Sequence, residues 1–477
     1  MSESFASNTN MNSLSTTSSI PLSGDLPTHT VYLRHGEPMP LRLAVEMISA
    51  SEDRQIVALC ISHYSGYVRE AAIARAIDLG GNSCLELIIE RVNDWVPEVR
   101  NIARQGLLAL LVTVPSEHFV SLLPKIRSLA AATRADHRSW LLKFEQQLVQ
   151  AGGATAIIAA MAGADFRLRR AAYFVALDHE LLPITELATI GLKSGDIMVA
   201  RRAVTLLDRM PSQERALCTA LAAASPFGPV RHAAFMHVAE NQSGADNEPL
   251  LWPAIFDAQA SLRSAAARLL HDRGLDVISH CIAMLESGQL SGTQIRAALS
   301  LLVERRAPDV GARLAQFAND RRADIRAHAM ALQVKVSPPL RDEIALRALF
   351  DPIRRVRKMG ARLCALGAFV PFEQIKTLLV ERGDCHAAMA VCARDEWDSL
   401  ACIALIGALE LSLGHDDQTL SDALRKWISN PRSSWTKPSI LHREILSKPA
   451  TASRLLNLAQ DRRTQLQTRL LESGIEL

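Results

Sequence analysis

Adjacent basic pairs recur along this chain: Arg169-Arg170, Arg201-Arg202, Arg305-Arg306, Arg321-Arg322, Arg354-Arg355 and Arg357-Lys358. Guanidinium groups set along one edge could track the phosphates of a nucleic acid. Trp95, Trp140 and Asp136 are close in sequence, and aromatic rings near a carboxylate could serve a base-binding site. Their spacing follows no pattern that chemistry requires. His179-Glu180 supplies two of the ligands a metal site needs, but no HExxH helix motif accompanies it. The eight cysteines form no CxxC pair and sit in apolar stretches, so they read as small buried hydrophobes. No GxxxxGK[ST] phosphate loop occurs. The expectation is a chain with no catalytic residues, no metal and no cofactor.

The overall balance agrees. The 477 residues carry 53 basic and 50 acidic side chains, a net charge of +3, without the clear basic excess of a dedicated polyanion binder. Hydrophobic residues make up 48% but aromatics only 5%, which suits closely packed helices with Ala and Leu between them. The first 30 residues are rich in Ser, Thr and Asn and hold no Lys or Arg, so they read as a disordered tail and not a secretory signal. No apolar run is long enough to span a membrane. A reducing cytoplasm is the expected compartment.

The elements that must position these residues emerge from self-similarity. The phrase Asp-x-x-Val-Arg-x-x-Ala returns with its arginine at Arg69, Arg100, Arg169, Arg201, Arg231, Arg263, Arg296, Arg326 and Arg357. The spacings are about 31 residues, with one double gap in which Arg138 fills the slot. The residue before each arginine is apolar, as in Val68, Val99, Val230 and Val356. The residue three after it is small, as in Ala72, Ala103, Ala172, Ala266 and Gly360. Those positions share one helix face, and a small residue there lets neighbouring helices approach. Asp94, Asp257, Asp320 and Asp351 each precede the arginines Arg100, Arg263, Arg326 and Arg357 by six residues. They are expected to cap the helices and to pair with the arginines as a structural ladder. A second apolar helix lies between phrases. One helix pair cannot bury its own apolar face, so the pairs must stack.

These phrases resemble the HEAT family, in its short bacterial form with repeats like those of phycobilisome lyases. The resemblance implies an all-α, right-handed α-solenoid of about ten to twelve helix pairs. Its expected layout is a disordered tail over 1–30, a lead-in over 31–65, the repeat array over 66–399 and a degenerate helical cap over 400–477. Within the cap, the stretch from Ser453 reads as one amphipathic helix that could close the array or dock a partner. HEAT-like glycosylases that repair alkylated DNA bind it along such an array, which gives the nucleic-acid reading its form. HEAT-like deoxyhypusine hydroxylases use repeated His-Glu pairs for two irons, and one pair here falls short of that set. Separately, Thr30-Val31-Tyr32-Leu33-Arg34-His35-Gly36-Glu37 looks like the signature of the histidine phosphatases, in which His35 would be phosphorylated and Arg34 would bind phosphate. That family needs an α/β domain after the motif, and here helical repeats begin near Gly66.

In a HEAT-like array, the helices bearing the repeated arginine are expected to line the concave face. Slots one and four or five residues past each arginine then become contact candidates: Arg170, Tyr173, Phe174, Arg202, His232, Phe235, Met236, Arg268, Lys358 and Arg362. Tyr173, Phe174, Phe235 and Met236 would form an apolar anchor flanked by arginine, or else serve as large core residues. The expected function is a protein-binding scaffold with a protein partner, and the alternative is a nucleic-acid-binding repeat protein.

Overall fold

In the computed structural model, the described residues are 27–33, 38–241, 248–393, 395–408, 417–430 and 436–476. The Arg34–Glu37 motif lies outside them. They form an all-α fold of the solenoid kind, in which consecutive helices stack on their neighbours. The only sheet among them pairs Thr30–Val31 with Met39–Pro40 in two short antiparallel strands. Among the described residues no helix is long and apolar enough to cross a membrane.

The chain divides into two compact units, Met1–Ser225 and Pro226–Leu477, and the division falls inside the span expected for the array. In the first unit α1 is Leu41–Ala50, α2 Arg54–Cys60, α3 Gly66–Asp78, α4 Leu85–Arg91 and α5 Pro97–Leu110. Then come α6 Ser116–Ser121, α7 Leu123–Ser128, α8 Arg138–Leu148, α9 Ala154–Ala160 and α10 Phe166–Asp178. The unit closes with α11 Ile184–Lys193, α12 Ile197–Val204 and α13 Ser212–Ala223. The arginine-bearing helices stack in series, α3 on α5, α5 on α8 and α10 on α12, and partner helices α2, α4, α9 and α11 flank them.

The second unit repeats the plan. Its arginine-bearing helices are α14 Gly228–Asn241, α16 Ala260–Asp272, α18 Gly292–Glu304, α20 Ala323–Val336 and α22 Arg354–Ala365. Their partners are α15 Glu248–Ala254, α17 Val277–Glu286, α19 Val310–Phe317 and α21 Arg341–Leu349. Helices α23 Phe372–Arg382, α24 Cys385–Cys392 and α25 Glu396–Ala408 continue the stack. Four more follow: α26 Asp417–Ile428, α27 Ile440–Leu446, α28 Pro449–Ala459 and α29 Arg463–Glu472.

Periodicity explains the packing. Val68, Val99, Val230, Ile325 and Val356 are fully buried, as are Ala72, Ala103, Ala172, Ala266 and Ala329. Close approach is tightest where the small residue is glycine. A Cβ at Gly360 would stand 2.9 Å from the Leu349 backbone nitrogen and 3.0 Å from the Ala345 carbonyl, so α21 and α22 pack backbone to side chain. All eight cysteines are buried and unbridged.

The C-terminal stretch departs from the expected single helix. It breaks at Gln460, whose φ is +49°, into α28 and α29. The break lets α28 pack on α25 while α29 buries Leu466 and Leu470. Arg469 then stacks 4.1 Å from the Trp427 ring, donates to the Trp427 and Ile428 carbonyls, and pairs with Glu396 at 2.6 Å. This stretch therefore packs onto the helices of the second unit.

Candidate interaction surface

The repeated arginine has a fixed local task. In at least six of the nine repeats its Nη1 donates to the two carbonyls that lie six and five residues earlier, in the turn that starts its own helix. Arg69 reaches His63 and Tyr64 (2.8 and 2.9 Å), and Arg100 reaches Asp94 and Trp95 (2.8 and 3.0 Å). Arg169, Arg263, Arg326 and Arg357 repeat the pattern. The other edge of the guanidinium reaches the aspartate of the next repeat. Arg69 grips Asp94 through Nη2 and Nε at 2.6 and 3.0 Å. Arg231 grips Asp257, Arg326 grips Asp351, and Arg357 pairs with Asp384.

The aspartates are not helix caps as expected. Asp94, Asp257, Asp320 and Asp351 sit two residues before the cap, and each accepts the N–H of the cap residue: Val96, Gln259, Arg322 or Ile353. In Asp94, Asp257 and Asp351 one side chain thereby fixes both the turn and the preceding repeat's arginine, whereas Asp320 pairs with Arg322 of its own turn. Asp94 is 2% exposed and Arg69 6%, so this link joins two repeats through a buried, satisfied ion pair, and the links at Asp257, Asp351 and Asp384 are partly buried.

Burial works to raise the pKa of Asp94. The Arg69 hydrogen bond, the Val96 N–H and the charges of Arg69 and Arg91 overcome it and hold the carboxyl below its usual 3.8. Asp257, Asp351 and Asp384 are lowered against burial in the same way. A carboxyl whose folded pKa is depressed stabilises the fold fully above its unfolded value. That stability fades as pH falls through the lower folded value. Urea midpoints should therefore drop between about pH 4 and lower pH, with a shallower drop in Asp94→Asn. An unchanged acid slope in that variant would remove Asp94 from the account.

The expected contact residues divide. Tyr173 is a correction: at 2% exposure it belongs to the core, where its hydroxyl donates to the Leu187 carbonyl at 3.1 Å. Burial pushes its pKa well above the usual tyrosine value. Its ring takes the space a side chain at Gly191 would need, since a Cβ there would meet the Tyr173 hydroxyl and Ala203. Phe174 is half-buried, edge-on to Tyr173 and capped by Arg127 at 5.8 Å. Phe235, half-buried in the second unit, packs against that unit's core, and Met236 and His232 are also half-buried. Arg202, Arg268, Lys358 and Arg362 are exposed.

Arg170 is the second correction. It was expected as a contact residue one past the repeated arginine, yet Arg170 is the one that pairs with Asp196, at 2.7 Å, while Arg169 holds the turn carbonyls. Arg170 and Tyr173 are brought together at a cavity of about 290 Å3, with Phe166, Met161 and Asp196 also in its lining. In the doublet Arg321-Arg322, Arg322 likewise pairs with Asp320 at 2.9 Å.

The residues considered for base chemistry separate too. Trp140 is 8% exposed and stacks on Phe144, so it fills the core. Asp136 accepts the Arg138 N–H, and its carbonyl takes Arg104. The His179-Glu180 pair splits. His179 turns inward, 3.4 Å from the buried Glu145, and Glu180 turns outward to Arg209 at 2.7 Å. Burial raises the pKa of Glu145, against the lowering charge of Arg127, which makes this a structural knot of charges. Among the described residues no group of three or more His, Cys, Asp or Glu is placed to hold a metal.

A row of exposed large side chains lies elsewhere than expected. In the first unit it occupies the few residues before each repeated arginine, at the start of its helix. Tyr64 is 65% exposed, Trp95 75%, Phe166 51% and Met198 49%. Arginines cover these rings: Arg134 lies 4.2 Å from the Trp95 ring, and Arg167 and Arg170 lie 5.7 and 5.8 Å from Phe166. The matching stretches of the second unit carry mainly small or polar residues, with the half-buried Phe227 and the exposed Ile353 the large apolar ones. The sequence signal was a large apolar residue inside a turn, two to five positions before the arginine, where polar or small residues are usual.

No family model matches this chain, and no curated protein matches it. Among solved structures it is similar to an engineered protein at 17% identity, over 88% of this chain and 98% of that one, with a TM-score of 0.16. It is also similar to a homology model of the full-length AP-3 complex in an intermediate open conformation, at 10% identity over 91% of this chain and 74% of that one, with a TM-score of 0.16. At that TM-score neither likeness bears on function.

Proposed function

We propose that this chain is a non-catalytic scaffold that binds a protein partner through the exposed aromatic and arginine row of its first unit. The observation that carries the reading is the use of the repeated arginines. In at least six of the nine the Nη1 holds turn carbonyls, and in Arg69, Arg231, Arg326 and Arg357 the other edge holds an aspartate, so these groups are spent on structure. The row that remains open is built from Trp, Tyr, Phe and Arg, the types that dominate protein interfaces. The repeat phrase's resemblance to the HEAT family fits this reading, as does a location in the cytoplasm.

Affinity capture from native lysate, with and without nuclease, tests it. A discrete protein that survives nuclease treatment is the expected result. Release of all captured material by nuclease would replace the scaffold reading with the nucleic-acid one.

A further inference from the structure

The ladder is interrupted after Arg100, and the interruption leaves charge uncompensated there. After Arg69 the partner aspartate comes 25 residues later. The gap to the next repeated arginine, Arg138, is longer, and the slot six residues before Arg138 holds Ala132, with no carboxylate. Arg100 therefore keeps its turn carbonyls, and among the described residues it makes no ion pair. Arg104, one helical turn on, donates to the Asp136 carbonyl and to Nδ1 of His137, both neutral acceptors. The Nε of Arg104 is buried without a hydrogen-bond partner. His137 is itself held as an acceptor there, because its Nε2 faces the Asn93 side-chain oxygen at 3.1 Å. Arg134 adds a third guanidinium, fixed by the Asn93 carbonyl at 3.1 Å and stacked on Trp95.

The charges feel one another. Burial first, then repulsion from Arg100, lowers the pKa of Arg104, and the attraction of Asp136 is the smaller effect. Burial and the same two arginines lower His137, which keeps it neutral and able to accept. Next to this cluster stands Trp95, 75% exposed, and the same slot one repeat earlier holds Tyr64 at 65%.

We propose that Trp95, Arg100, Arg104 and Arg134 form a receptor for a short acidic segment of a protein partner, one that also carries an apolar side chain. This rests on the scaffold reading and names the chemistry of its partner. Fixed guanidinium forks suit carboxylates, which they bind with two parallel hydrogen bonds. The exposed indole supplies the apolar anchor. A nucleic-acid strand needs cations in series along its path. Here two of the neighbouring cations are already neutralised: Arg69 by Asp94, and Lys125 by Glu86 and Glu90 at 2.9 and 2.6 Å. What sets this place apart is that three fixed guanidinium groups, Arg100, Arg104 and Arg134, gather beside the exposed Trp95, the pattern of a peptide site.

The test uses the full chain and fluorescence anisotropy. The probes are a labelled glutamate-rich peptide containing phenylalanine, a lysine-rich peptide of equal length and an oligothymidylate. Saturable binding of the glutamate peptide alone is expected. Arg134→Ala and Trp95→Ala should each weaken it about tenfold, as loss of one strong contact does. Both side chains are exposed, and unchanged thermal unfolding would confirm that these variants fold. Arg209→Ala, which removes a surface partner of Glu180, should leave binding unchanged. Tighter binding of oligothymidylate, no saturable peptide binding, or peptide binding indifferent to both substitutions would each overturn the proposal. The two readings fail separately. A nuclease-resistant partner still held by Arg134→Ala and Trp95→Ala sinks this receptor and spares the scaffold, whereas the absence of any such partner sinks the scaffold.

Discussion

Asp94→Ala is expected to lower the unfolding free energy of the first unit by about 3–5 kcal/mol, the usual cost of removing one member of a buried ion pair. The substitution strands Arg69, 6% exposed, with no carboxylate on its Nε and Nη2 edge. It also leaves Arg91 without its 3.2 Å contact and the Val96 N–H without an acceptor. The loss should spread to both repeats that Asp94 joins, because α3 and α5 are stacked. Urea unfolding followed by hydrogen exchange of peptides from 41–110 reads it directly. By contrast Arg209→Ala, at a surface pair whose side chains are 55% and 70% exposed, should fall within about 1 kcal/mol. If the two variants unfold alike, the ladder is decoration and not the link between repeats.

The second large effect is expected at Tyr173. Tyr173→Ala empties a site that the ring fills against Gly191 and Ala203, and it strips the Leu187 carbonyl of its donor. Truncation of a buried aromatic costs about 3–5 kcal/mol. Tyr173→Phe keeps the volume and loses only the hydrogen bond, about 1 kcal/mol. Both variants, once folded, should capture the same partner as the wild type. A Tyr173→Ala chain that melts normally but loses its partner would return this residue to the contact surface.

Those two residues mark what the sequence could and could not disclose. The helix pairs were legible because the arginine, the apolar residue before it and the small residue after it recur in phase, and a period that long is a packing constraint. The ladder was half legible. Its residue types and six-residue offset are visible in the chain. Which arginine meets which aspartate depends on how repeats stack, and a doublet such as Arg169-Arg170 can divide the two tasks between its members.

The contact surface was not legible from the helix register. Counting forward from each arginine places Tyr173 outside, yet its slot turns toward Gly191, whose missing side chain admits the ring. The exposed rings stand before the arginine, in turns, where helical periodicity has nothing to say. Trp95 was noticed for its chemistry together with Trp140, but only burial separates the 75% exposed ring from the 8% exposed one. The interruption that frees Arg100 shows in the sequence as Ala132 standing where an aspartate belongs, six residues before Arg138.

Protein binding at the first unit's aromatic row is the central claim, and site-specific photo-crosslinking tests it most directly. A photoreactive phenylalanine analogue would replace Trp95 in one chain and Lys358, in the second unit, in another. The account gives a discrete protein adduct at position 95 that survives nuclease, and none of comparable yield at position 358. An adduct at position 95 that nuclease digests away, or a protein adduct confined to position 358, would contradict it.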